Sequence, residues 1–246
     1  MLLPILLLAG GIGALVLIAA TTVNDDPPVH EPDAPPTPGH TGYELVDAML
    51  PQLKQAAESS GIPLGLLVGW IAKESGGRLG EVTTLGERGV FQLIGSESKT
   101  LGLDHERLST DLVYSINAGL ALIGYYSGKA DKLGIATRGT SYFWKLVKLI
   151  HSMGEGAVKK IVDAAVDAHA TGSWAALEKY AMDNNADLLH ATKHSPSKWF
   201  PFVDAVYKVG APFGFGSSDA IVGALGAVRG GKIFDDIPDP LDCLEA

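Results

Sequence analysis

Between Gly42 and about Gly210 the apolar residues recur at helical spacing, and no comparable run of alternating β-branched residues appears. That pattern predicts a mainly α domain with short connections. The clearest segment is Leu64 to Ser75, where Leu64, Leu67, Val68, Ile71, Ala72 and Ser75 follow the i, i+3, i+4, i+7 rule and bury one face. Pro63 suits its first helical position, and Gly76-Gly77 ends it. Further periodic stretches run near Asp111 to Tyr126, Thr140 to Ser152, Gly156 to Ala168, Ser173 to Met182, Asn184 to Thr192 and Ser197 to Val209.

The flanks differ in character. Leu2 to Ala20 contain no charged side chain, and nineteen helical residues span roughly 28 Å, close to the hydrocarbon thickness of a bilayer. Residues 1–23 therefore read as a membrane anchor. A cleavable signal peptide is the rival reading, opposed by the absence of Lys or Arg before the apolar run and by the length of that run. Asp25 and Asp26 follow, and neither flank carries the basic cluster that would set orientation. Residues 24–41 hold Pro27, Pro28, Pro32, Pro35, Pro36 and Pro38, a composition suited to an extended spacer. Residues 210–246 are Gly-rich and then acidic, with a small apolar run from Ile221 to Val228. That leaves 42–209 as the main helical domain.

The formal charge of −9 argues against a nucleic-acid partner, because phosphate binding depends on clustered Lys and Arg. It also means that affinity for any anionic polymer would come from a shaped groove rather than long-range attraction. The single cysteine, Cys243, allows no internal disulfide, so the fold stands on its core. The histidines show no zinc-ligand spacing, and no Gly-x-Ser-x-Gly segment or phosphate-cradling loop is present.

Glu74 closes the Leu64 helix and is followed by Ser75, Thr83 and Gly86-Glu87-Arg88-Gly89-Val90-Phe91-Gln92. Those residues, at that spacing, resemble the catalytic signature of the soluble lytic transglycosylase family of the lysozyme-like superfamily. The family pattern has Glu-Ser, a Ser nine residues after the Glu, and Gly-Ala-x-Gly-Leu-Met-Gln beginning twelve residues after it. Downstream, Asp111-Leu112-Val113-Tyr114-Ser115-Ile116-Asn117-Ala118-Gly119 resembles the family's Asp-Pro-x-x-Asn-Ile-x-x-Gly, with Ser115 in place of Asn. Ile150-His151-Ser152-Met153-Gly154-Glu155-Gly156 resembles its Ala-Tyr-Asn-Ala-Gly-Pro-Gly, with His151 for Tyr and Ser152 for Asn. Phe202-Val203 stands where the family has Tyr-Val, and Phe202 reads as core.

The resemblance implies a lysozyme-like fold and cleavage of the β-1,4 bond between N-acetylmuramic acid and N-acetylglucosamine in peptidoglycan glycan strands. One glutamate, here Glu74, acts as acid and then base. The sugar's own C6 hydroxyl replaces water, and a 1,6-anhydro-muramic end results. Ser75, Phe91, Gln92, Ser115, His151 and Ser152 are the expected substrate-binding residues. No cofactor, metal or second catalytic carboxylate is implied, and no Asp stands at an obvious paired position near Glu74. Glu87, where the family usually has Ala, reads as a rim charge.

A general-acid role requires a raised pKa, and the apolar helix with Val68 and Ile71 is suited to providing it. An anchor, a spacer and this domain suit a wall-penetrating protein of a phage or virus particle, or a bacterial envelope enzyme, facing the wall from a membrane. Three other readings stay open. They are a muramidase hydrolase, a structural virion or envelope protein that keeps the fold with weakened or lost activity, and a membrane-perturbing protein acting through its apolar ends.

Overall fold

A computed structural model describes residues 39–215 of the 246-residue chain. The anchor expected at residues 2–20, the spacer up to residue 38 and the segment from residue 216 lie outside the described residues. Among the described residues the protein is mainly helical and has no strands, and no helix is long and apolar enough to cross a membrane. The helices are α1 (Glu44–Ala48), α2 (Leu50–Ser60), α3 (Leu64–Glu74), α4 (Gly95–Thr100), α5 (Leu112–Leu133), α6 (Ser141–Met153), α7 (Glu155–Asp167), α8 (Trp174–Asp183), α9 (Asn185–Thr192) and α10 (Pro196–Gly210).

The axis of the fold is α3. Of its 11 residues, Leu64 and Lys73 alone escape full burial, so the helix is enclosed by its neighbours on every side. Pro63 lies one residue before the helix, with ψ of 133°, and Leu64 opens it. Gly76 and Gly77 close it in left-handed backbone, at φ 61° and 85°. The second of these has no room for a side chain, because a Cβ at Gly77 would stand 2.8 Å from the Leu45 side chain.

Helix α10 lies against α3 at backbone contact. A Cβ at Gly69 would meet the Val206 carbonyl oxygen at 2.1 Å, and one at Gly210 would meet the Gly65 oxygen at 1.9 Å. The Gly65 N–H donates to the Gly214 oxygen at 2.8 Å, and the Phe215 ring stacks on Tyr207. The glycines thus replace side-chain interdigitation with close helix approach. Trp70, Leu66 and Leu67 from α3, Phe143 and Leu146 from α6, and Phe200 and Val203 from α10 form the centre of one core.

Helix α5 runs to Leu133, seven residues beyond the expected end at Tyr126, and Gly134 caps it in left-handed backbone. Its start is fixed by Asp111, whose carboxylate accepts the Tyr114 N–H at 3.0 Å. The short helices α1, α2 and α4 come from stretches with less regular apolar spacing. Gly154, at φ 81°, turns the chain from α6 into α7.

Candidate functional site

Glu74 is the last residue of α3, and its side chain is 6% exposed. The segment behind it, from Val82 to Leu93, is held as a compact loop by two isolated antiparallel bridges, Val82 with Arg88 and Arg88 with Leu93. Gly86 and Gly89 turn in left-handed backbone, at φ 76° and 74°, which shapes the loop. His105 braces the turn by hydrogen-bonding the Gly86 oxygen at 2.8 Å through Nε2 and the Ser98 hydroxyl at 2.8 Å through Nδ1.

The loop is seated on α5. Ser115 Oγ accepts the Val90 N–H at 3.0 Å, and Gly119 leaves the space that the Phe91 ring fills. On the other side Ser75 Oγ donates to the Val90 oxygen at 2.8 Å and accepts the Gly77 N–H at 3.1 Å. Ser75, Phe91 and Ser115 were expected to contact substrate. The structure buries all three completely and commits both hydroxyls to loop backbone, so these residues hold the loop against α3 and α5.

Gln92 also lies inward, 2% exposed, in left-handed backbone at φ 54°. Its amide nitrogen donates to the Gly89 oxygen at 2.7 Å, whereas Oε1 has no partner. A non-glycine residue held at positive φ with an unsatisfied buried oxygen is a local cost that functional sites often carry. Glu87 is partly buried beside Glu74 rather than freely solvated at a rim. It accepts the Thr83 hydroxyl at 2.7 Å, and burial raises its pKa above the ordinary glutamate value.

The end of α6 closes the site with Lys148, His151 and Ser152. Lys148 is fully buried, and its ammonium forms an ion pair with Glu74 Oε1. The same ammonium donates to His151 Nδ1 at 3.1 Å and to Ser152 Oγ at 3.1 Å. It lies 4.6 Å from the centre of the Trp70 ring and 4.9 Å from that of Phe202. Phe202, read from the sequence as core, is buried and provides one face of this cation's enclosure. Burial pulls Lys148 below the ordinary lysine pKa, with the Glu74 carboxylate opposing.

His151 lies between two glutamates. Its Nδ1 is 3.8 Å from Glu74 Oε1, and its Nε2 is 3.7 Å from Glu97 Oε1. The ring packs on Trp70 at 4.9 Å and on Tyr126 at 5.5 Å between centroids. Burial and the neighbouring Lys148 charge hold its pKa well below the ordinary histidine value, so the ring is neutral near pH 7.

Glu97, on α4, accepts the Tyr126 hydroxyl at 2.7 Å and the Ile94 N–H at 3.0 Å, and burial raises its pKa. It lines a groove of about 190 Å³ with Ile94, Leu101, Tyr125, Tyr126 and Lys129. Among the described residues no group of His, Cys, Asp and Glu could hold a metal ion.

The three sequence segments therefore meet. Glu74, His151 and Ser152 share the Lys148 ammonium, while Ser75, Phe91 and Ser115 seat the loop that carries Gln92. No protein-family model matches this chain, and no curated protein matches it.

Sequence reasoning missed Lys148, Glu97 and Tyr126. The signal for Lys148 was available: it interrupts the run Leu146-Val147-Lys148-Leu149-Ile150, three residues before His151 and four before Ser152. A lysine there shares a helix face with both. Glu97 and Tyr126 carried no comparable signal, since a capping glutamate and a helix tyrosine have ordinary structural uses.

Proposed function

We propose that this protein is a peptidoglycan lytic transglycosylase of lysozyme-like fold, held at a membrane by residues 2–20 and facing the cell wall. The observation that carries the reading is convergence. The segment at 150–156 reaches Glu74 through His151, 77 residues along the chain, and the segment at 111–119 seats the loop behind Glu74 through Ser115.

In the proposed reaction the Glu74 carboxyl gives its proton to the glycosidic oxygen as the C1–O bond of N-acetylmuramic acid breaks. The substrate's acetamido oxygen stabilises the electron-poor C1. Glu74, now a carboxylate, takes the proton of the C6 hydroxyl as that oxygen bonds to C1. The products are a 1,6-anhydro-muramic end and a free N-acetylglucosamine end.

One observation favours a second reading, in which the chain is a weakened or inactive structural protein of a virion or envelope. Glu74 is enclosed and neutralised by Lys148, an arrangement that restrains a proton donor. The two readings separate in a wall-clearing assay with the full-length chain. Loss of clearing in folded Glu74→Gln protein supports the enzyme. Equal clearing by both proteins removes Glu74 from the chemistry, and no clearing by either favours the structural protein.

A further inference from the structure

The cation beside Glu74 has no part in the reaction just proposed. We propose that Lys148 is a positioning residue for glycan cleavage: it orients the Glu74 carboxyl, fixes the tautomer of His151, and makes cleavage depend on its own charge. The inference rests on the reading of Glu74 as the acid–base group.

Donor arithmetic supports it. An ammonium has three N–H donors, and Lys148 meets three acceptors: Glu74 Oε1, His151 Nδ1 and Ser152 Oγ. The charged form is therefore satisfied without any further ligand, in a site walled by Trp70 and Phe202. Because Nδ1 accepts from Lys148, the neutral His151 ring carries its hydrogen on Nε2, which faces Glu97. The other ionisable groups around the pair are Glu87 from the loop, Glu97 from α4 and Tyr126 from α5.

The consequence for catalysis has a definite sign. An ammonium in contact with a carboxyl favours the ionised carboxyl, whereas protonation of the leaving oxygen requires the acid form. Without the cation, a buried carboxyl favours its neutral form. Cleavage by Lys148→Met, which removes the charge and leaves an unbranched side chain one atom shorter, persists to higher pH than cleavage by the unmodified protein.

The test measures cleavage rates on purified peptidoglycan against pH for the full-length chain, Lys148→Met and Lys148→Arg. Thermal melts confirm folding, and nitrogen-15 spectra of labelled histidine are recorded on the unmodified protein. The alkaline limb of Lys148→Met moves upward, while Lys148→Arg, which keeps the charge, stays close to the parent. His151 gives the Nε2–H pattern at neutral pH.

An unmoved limb in folded Lys148→Met overturns the inference while leaving Glu74 as the acid. A hydrogen on Nδ1 of His151 overturns it as well, and that spectrum decides the matter if Lys148→Met fails to fold. No cleavage by the unmodified protein at any pH overturns the enzymatic reading itself.

Discussion

Lys148 and Glu74 form a fully enclosed ion pair, one partner 0% and the other 6% exposed, joining the middle of α6 to the end of α3. Buried pairs of this kind add little net stability relative to apolar replacements, but removing one member leaves the other uncompensated. Glu74→Gln therefore lowers unfolding stability by about 3 kcal/mol, read by chemical denaturation. Recovery of about half or more of that loss in Glu74→Gln/Lys148→Met would identify the stranded charge as its source. Equal losses in the single and double variants would mean that packing, not charge, sets the cost.

Ser115 stands where the resembled family has Asn, yet reverting it is expected to harm the protein. Its Oγ accepts the Val90 N–H, and a Cβ on Gly89 would already stand 2.4 Å from that oxygen. Asn adds two heavy atoms to a fully buried position. Ser115→Asn is expected to destabilise by about 1–3 kcal/mol, and Ser115→Ala by about 1 kcal/mol through the orphaned N–H. Thermal melts of the two variants check the order.

Gly119 tests how the loop is seated. A Cβ there would lie 2.1 Å from a ring carbon of Phe91, which is buried beneath the loop. Gly119→Ala costs about 1–3 kcal/mol despite the gain in helix propensity. Adding Phe91→Leu recovers part of the loss, because the smaller side chain vacates the contested space. Additive losses in the double variant would show that the two residues do not share it.

The sequence made the large helices and the three motif segments legible because their apolar spacing and glycine punctuation act locally. The end of α3 at Gly76-Gly77, the cap at Asp111 and the turns at Gly86 and Gly89 all follow from such signals. What stayed hidden depends on contacts across the fold. Ser75 and Ser115 looked like polar site residues, and only their burial against Val90 shows that they serve the loop. Lys148 is marked in the sequence only by its place in an apolar run, and its partners appear once α3 and α10 bring Glu74, Trp70 and Phe202 around it.

His151 makes stability fall as acid is added. Its folded pKa lies well below the ordinary histidine value of 6.5, so the unfolded chain binds the extra proton first. Its contribution is present above about pH 6.5 and is lost as pH falls toward the depressed folded value. Glu97 acts with the opposite sign: its pKa is raised above 4.5, so its contribution is present below that value and is lost as pH rises through the folded value. Denaturation of His151→Phe, compared with the parent, gives a slope shallower by up to about 1.4 kcal/mol per pH unit just below pH 6.5. An unchanged slope would mean that His151 takes up its proton at the same pH in the folded and unfolded chain.

The most direct test of the account is mass spectrometry of purified peptidoglycan digested by the full-length chain, with folded Glu74→Gln alongside. The account predicts 1,6-anhydro-muramic ends, one water lighter than reducing ends, from the unmodified protein and none from the variant. Reducing ends would mean that water, not the C6 hydroxyl, is the attacking group. Equal products from both proteins, or none from either, would contradict the assignment of acid–base chemistry to Glu74.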